Sequence, residues 1–315
     1  MFKNVMIFNM SAACTLDAAQ TEAALQEARF VACDAHQEQS VGWVEPRGQA
    51  HGPLLELVQG NWLLKLMIET KVLPGAVVRR KAEEQAVEIQ ATSGRTPGRR
   101  EQKELRESAR QSLLPRAFTK QSSVLVWLDL QTQRVILDAA SQASADKALS
   151  FLVKSLPGFT ALALDTQQSA AACMAQWLSE GDAPLGFAVD RECELKATDE
   201  GGALVRYTRH TLLTEEVSRH IAQGKMPTRL ALTWSDQVSF VLTQTLQLKK
   251  LSLLEGMDAA LADAGDRSSR DDAFDGDVAI ITGALRPLIS ALIDALGGVR
   301  SGLAAATAGV LGALT

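Results

Sequence analysis

Most signatures of catalysis are missing from this 315-residue sequence. It has no G-x-x-x-x-G-K-[ST] loop, no G-x-G-x-x-G, no G-x-S-x-G and no H-E-x-x-H. Those absences exclude the familiar phosphate-loop, dinucleotide-binding, serine-hydrolase and zinc-protease sites. Cysteine is scarce: Cys14, Cys33, Cys173 and Cys193 lie far apart, with no C-x-x-C pair. That spacing argues against a structural zinc or a disulfide framework, and the four thiols read as packing residues. His36, His51, His210 and His220 also lack ligand spacing, so no metal site and no cofactor is expected. No helix-turn-helix or zinc-finger pattern offers an element that would read a base sequence. The opening "MFKNVMIF" has one lysine and an apolar run too short for a secretory core, so a cytoplasmic protein is expected. The apolar stretch from Ile280 onward is broken by Arg286, Pro287, Asp294 and Arg300, which argues against a membrane span.

What is present is the balance of a folded chain, with 46% hydrophobic and 22% charged residues and length for two or three domains. Three stretches read as hairpins. "LLELVQGNWLLKLMI" has a Gly60-Asn61 turn between apolar runs, and "SVLVWLDLQTQRVILDAAS" alternates at Val124, Val126 and Leu128. In "TRLALTWSDQVSFVLTQTLQLKKL", Leu230, Leu232 and Trp234 alternate before a turn at Ser235-Asp236-Gln237. Val238, Phe240 and Leu242 then alternate again, with a third strand through Leu246 and Leu248. Helices are expected in "TLDAAQTEAALQEARF", capped by Thr15 or Asp17, and in "DTQQSAAACMAQWLSEG", capped by Asp165 or Thr166 and stopped at Gly181. "TEEVSRHIAQG" follows, between Thr214 and Gly224. A last apolar helix starts at Val278, with Pro287 as a kink or restart. Hairpins and helices mix without βαβ regularity, so the fold class is α+β, with antiparallel sheets and flanking helices.

Charge is unevenly spread. The net charge is -5, yet Arg79 to Lys120 holds eleven basic residues against six acidic ones. Leu251 to Leu296 holds three basic against nine acidic. A negative total therefore says little about the local field. If residues 99 to 114 form a helix, Arg99, Lys103, Arg106 and Arg110 fall in one narrow sector at i, i+4, i+7 and i+11. Glu101, Glu104 and Glu107 occupy another flank, while Leu105, Ala109 and Leu113 form an apolar stripe. Two readings fit: a solvated surface helix paired with its own glutamates, or a cationic edge for phosphates. Arg79, Arg80, Lys81, Arg116, Lys120, Lys225, Arg229, Lys249 and Lys250 would extend such an edge. Phe118, between Arg116 and Lys120, reads either as a core anchor or as an exposed aromatic for another subunit.

Several phrases carry a resemblance: "MFKNVMIF", "GWVEPRG" (42 to 48), "LLPRAF" (113 to 118), "DAASQASAD" (138 to 146), "TRLALTWSDQVSFVL" (228 to 242) and "FDGDVAIITGALRPLISALIDALGG" (274 to 298). In this order and spacing, over residues 1 to 298, the chain resembles the bacterial recombination-associated RdgC family. The chain departs from the pattern in three places. It has no early tryptophan before "FKN", it places Pro287 in a helical stretch, and its Ala/Gly-rich tail runs past the usual ending.

The resemblance implies a non-catalytic protein that binds duplex DNA without sequence preference. It implies horseshoe-shaped monomers that close into a ring-shaped homodimer around DNA, with cations lining the hole. It also implies a nucleoid-associated protein that restrains the RecA strand-exchange protein in recombination and replication restart. On that basis Arg99, Arg100, Lys103, Arg106, Arg110, Arg116, Lys225, Arg229, Lys249 and Lys250 are candidate DNA contacts, and Phe118 a candidate dimer contact. The expected division is a central sheet region over 1–75 and 119–165 and a helical basic tip over 76–118. A mixed base over 166–298 and a tail over 299–315 complete it.

Two other classes compete. Asp271, Asp272, Asp275 and Asp277 suggest a metal-dependent nuclease, although "DDAFDGD" lacks the glycine and terminal glutamate of a calcium loop. The acidic C-terminal region could also mimic DNA and bind a recombinase directly.

Overall fold

The computed structural model describes residues 2–11, 16–254 and 270–300, with side chains from Asp272 onward in the last segment. Its centre is a single twelve-stranded sheet in which every pairing between strands is antiparallel. The strands are β1 (Val5–Met10), β2 (Gln39–Val44), β3 (Glu56–Val58), β4 (Asn61–Val72), β5 (Phe118–Asp129) and β6 (Arg134–Asp138). The second set is β7 (Ala161–Ala163), β8 (Phe187–Ala197), β9 (Leu204–Thr208), β10 (Lys225–Trp234), β11 (Val238–Thr243) and β12 (Leu248–Leu253). Their order is β2-β4-β5-β6-β1-β12-β11-β10-β8-β9, with β3 on β4 and β7 on β1. The first strand thus sits mid-sheet, joining an N-terminal half to a C-terminal half through Val5 opposite Leu248.

Tight turns enforce this meander. Gln59 and Gly60 both have positive φ, 49° and 79°, and so do Ser235 and Asp236, at 49° and 53°. Two consecutive left-handed residues match the twist of a two-residue hairpin. The first turn therefore lies one residue before the expected Gly60-Asn61.

On one face helices pack against both halves of the sheet, and on the other against the N-terminal half. The longest, α7 (Arg270–Ala295; α1–α6 are placed below), lies across the seam. Its Val278, Ile281, Leu285, Leu288, Ile289 and Leu292 recur at helical spacing and are buried. They share one core with Leu63, Trp127 and Ile136 of the N-terminal half and Leu230, Leu232 and Phe240 of the C-terminal half. By length and composition α7 could cross a membrane. Its packing is that of a core helix: Arg286 donates to Asp129 at 2.8 Å and to Asn61 at 2.5 Å, locking the helix to two strand turns. The helix starts before the expected Val278 and runs through Pro287 without a restart.

The same face carries α5 (Ala170–Glu180) and α6 (Glu215–Ala222). The cap of α5 is Ser169, whose hydroxyl accepts from Ala172 N, rather than the expected Asp165 or Thr166. On the opposite face, α1 (Ala18–Glu27) and α4 (Gln142–Ser155) bury Leu25, Ala145, Ala148 and Leu152 against the N-terminal half only. The expected cap Asp17 holds α1 through Gln20 N; Thr15 lies outside the described residues.

Strands β4 and β5 are the longest, and their ends outrun the neighbours. Residues 118–123 of β5 are all exposed. This arm carries a helical hairpin of α2 (Gly75–Ser93) and α3 (Arg99–Leu113). The hairpin core is thin: Val78, Ala82 and Ala109 are buried, with Leu73, Leu105 and Leu113 packed beside them.

Candidate nucleic-acid interface

The helix expected over 99 to 114 forms as α3, with its apolar stripe turned to α2 and its charged residues turned to solvent. Glutamates take up some of the cations. Arg95 pairs with Glu101 at 2.7 Å, Arg100 with Glu104 at 3.2 Å, and Arg110 reaches Glu38 at 2.9 Å. Arg99, Lys103 and Arg106 are exposed and have no ion pair among the described residues. Their spacing of four and three residues places all three on one edge. Arg116 and Lys120 follow, exposed and likewise unpaired among the described residues. The structure therefore divides the expected row: three members are available to a ligand, while Arg110 is held by the body of the protein.

The second cationic surface lies on the C-terminal half of the sheet. There β8–β12 bury Cys193, Leu195, Leu230, Leu232, Phe240 and Leu242 on the helix-covered face. Strand alternation turns their neighbours to the other face, where no core cluster forms among the described residues. Arg229, Lys249 and Lys250 stand on this open face, as does Lys196. Register shifts in β8 and β12 crease it. Such bulges bend the strand and re-aim its side chains. Between them lies a cleft of about 310 Å³ lined by Asp190, Arg191, Glu192, Thr208, Arg209 and Lys250, among others. With Arg206 and Glu194 included, the face carries seven cations, at 191, 196, 206, 209, 229, 249 and 250. Among the described residues three carboxylates, at 190, 192 and 194, oppose them, and Glu192 holds Lys250 at 2.7 Å.

One expected contact falls elsewhere. A further register shift between Pro227 and Arg229 turns Lys225 to the helix-covered side, where its Nζ lies 3.1 Å from His220 Nδ1 of α6. Lys225 and Arg229 are thus four residues apart on opposite faces.

Within the open face, Arg206, Glu194 and Arg229 are directly opposite one another on three adjacent strands. Glu194 accepts from Arg206 Nε at 3.0 Å and from Thr228 Oγ1 at 2.7 Å, and lies 3.9 Å from Arg229 Nε. The bond from Arg206, then that from Thr228, holds the Glu194 carboxyl below the usual glutamate range. Arg191, Lys196, Arg206 and Arg209 were not foreseen. The signal existed in the alternation of "RECELKA", where charged residues take every second place, and in the Gly201-Gly202 turn between β8 and β9, where Gly202 has a φ of 55°.

Phe118 is not a core residue. It is 86% exposed and pairs across the arm with Val72, which is 46% exposed.

Among the described residues the aspartates do not assemble a metal centre. Asp275 lies 2.6 Å from Arg47, which also holds Glu56 at 2.8 Å. Among the described residues no three His, Cys, Asp or Glu side chains come together as ligands. The side chain of Asp271 lies outside the described residues.

Sequence comparison brings these surfaces under one family. The model described as "Putative exonuclease, RdgC" matches residues 1–299. The chain belongs to the RdgC family. It is 40% identical over 302 residues to the recombination-associated protein RdgC of Dechloromonas aromatica, covering 94% of this chain and 97% of that protein. It is equally similar to the RdgC protein of Herminiimonas arsenicoxydans, over 95% and 99%. The Bordetella pertussis protein of the same name is 38% identical over 303 residues, 95% of this chain and 99% of the relative. The relatives are named for recombination, whereas the family description names an exonuclease.

Proposed function

We propose that this RdgC-family chain is a non-catalytic, sequence-nonspecific duplex-DNA-binding protein with a role in recombination. The observation that carries the reading is the face of β8–β12 that the described residues leave uncovered, where seven cations meet three carboxylates on a protein of net charge -5. Concentrated arginine and lysine neutralise phosphates and release condensed counterions, which needs no base contact. The unpaired edge of α3, at Arg99, Lys103 and Arg106, supplies a second set of phosphate ligands at the end of the arm.

The family resemblance extends this to a homodimer. Horseshoe-shaped monomers close into a ring around DNA, and Phe118 with Val72 forms part of one closing contact. An aromatic left in water at the tip of an arm gains by burial against another subunit. In the cytoplasm, bound on the nucleoid, such a ring restrains RecA by competing for the same duplex.

The exonuclease description favours a second reading, metal-dependent cleavage near Asp272 and Asp277. End-labelled linear duplex incubated with magnesium or manganese separates the two. The binding reading expects retarded but intact DNA. Shortening that disappears on Asp277→Ala would establish the nuclease.

A further inference from the structure

We propose that Arg206 and Arg229 form one phosphate clamp, with Glu194 between them as a built-in counter-charge that limits its grip. The inference rests on the DNA-binding reading and says which side chains of the open face hold the backbone.

The geometry is specific. Arg206 belongs to the edge strand β9, Glu194 to β8 and Arg229 to β10, so the three side chains form one row across the sheet. Neighbouring strands are about 4.8 Å apart, which alone would put the two arginines about 10 Å from each other. Both instead lean toward one carboxylate. Arg206 contributes Nε and Nη2 to Glu194 Oε2, and Arg229 brings Nε to within 3.9 Å of Oε1. Two guanidiniums within reach of one carboxylate are also spaced for one phosphate, an anion of similar width.

Their ends stay in water: the Arg206 side chain is 57% exposed and that of Arg229 46%, against 11% for Glu194. Each guanidinium has five N–H donors, so the outward ones remain for a ligand after the glutamate is satisfied. Thr228 Oγ1, at 2.7 Å from Oε1, holds the carboxylate in place between the arginines. The row thus has one net positive charge, with its two cations oriented before DNA arrives. Pre-orientation saves the entropy of ordering two long side chains on binding. The retained carboxylate keeps the contact exchangeable.

A purely structural ion pair and a phosphate clamp predict opposite patterns. If the row only braced the strands, removing either partner would weaken folding, and DNA affinity would fall or stay unchanged in both variants. A clamp makes the two variants move apart. Arg206→Ala loses affinity for duplex of any sequence by about five- to tenfold near 0.1 M salt, and its log-log salt slope falls by about 0.9. Glu194→Gln keeps the bond from Thr228, removes the opposing charge, and binds about three- to tenfold tighter. Arg206→Lys keeps the wild-type salt slope.

The test is fluorescence anisotropy on a labelled duplex of random sequence over a salt series, using the full chain, with thermal melting of each variant. Opposite signs for Arg206→Ala and Glu194→Gln support the clamp. Arg206→Ala at wild-type affinity, or both variants weakened together, overturns it while leaving DNA binding standing. A wild-type chain that does not bind overturns the DNA reading itself.

Discussion

Val72 and Phe118 stand opposite each other at the outer end of the β4–β5 arm, and neither is buried. A cross-strand apolar pair of this kind normally contributes to a core. Here it lies where both strands leave the sheet to enter α2 and α3, and the proposed ring dimer would bury it against a second copy. Phe118→Ala is therefore expected to leave the melting temperature within about 2 °C, the response of an exposed site. It should reduce the dimer fraction in sedimentation and the retention of closed circular DNA. A variant that melts much lower with its mass unchanged would return Phe118 to an intramolecular role.

The edge of α3 gives a second expectation. Replacing Arg99, Lys103 and Arg106 together by glutamate should weaken binding to every duplex alike and lower the salt slope by about three, one per lost phosphate contact. The helix should persist, because its apolar stripe is untouched. Reversing Arg110 alone should cost less affinity, since that guanidinium is already occupied by Glu38. Gel shifts on AT-rich and GC-rich duplexes, with circular dichroism of each variant, check both points.

Much of this was legible in the chain. The first two strands of the C-terminal meander appear almost residue for residue, because alternating apolar positions and a tight turn are local signals that β10 and β11 obey. The expected third strand instead starts at Leu248 and leaves Leu246 in the turn with a φ of 57°. The stripe and edge of α3 were equally readable, since helical spacing decides both. Three things were not. Strand β5 begins at Phe118, and its six exposed residues have no hydrophobic alternation to betray them. The face on which Lys225 and Arg229 lie depends on a register shift that no composition records. The ion pairs that occupy Arg110 and Asp275 join residues 72 and 228 positions apart, a distance over which no spacing rule operates.

The anchoring of α7 gives a stability prediction. Asp129 is 2% exposed and receives two bonds from Arg286, whose guanidinium also lies over Trp127 at 5.5 Å. Asp129→Ala would leave that cation beside the core without a carboxylate, with Asn61 its remaining acceptor, at a cost of about 3 kcal/mol. Urea unfolding should show the loss as a lower midpoint with an unchanged m-value. A shift below about 0.5 kcal/mol would mean that the apolar stripe of α7 suffices to hold it.

Acid should act through the carboxylates held in the folded state. The bonds from Gln121 and Cys33 N to Glu69, and from Arg206 and Thr228 to Glu194, hold both groups below their ordinary range. A depressed carboxylate contributes stability that is complete above the unfolded value, about 4.3, and disappears as pH falls through the lower folded value. Melting temperature should be flat from pH 7 to about 5 and fall below about 4.5. Glu69→Gln should start from lower stability and show a shallower acid fall, and an unchanged profile would count against the assignment.

The most direct measurement is the affinity of the wild-type chain for duplex DNA as a function of salt, with molecular mass recorded under the same conditions. The account predicts a steep linear fall of log affinity with log salt, equivalent to at least four phosphates and identical for unrelated sequences. A slope worth one or two phosphates, or affinity that depends on sequence, would contradict it.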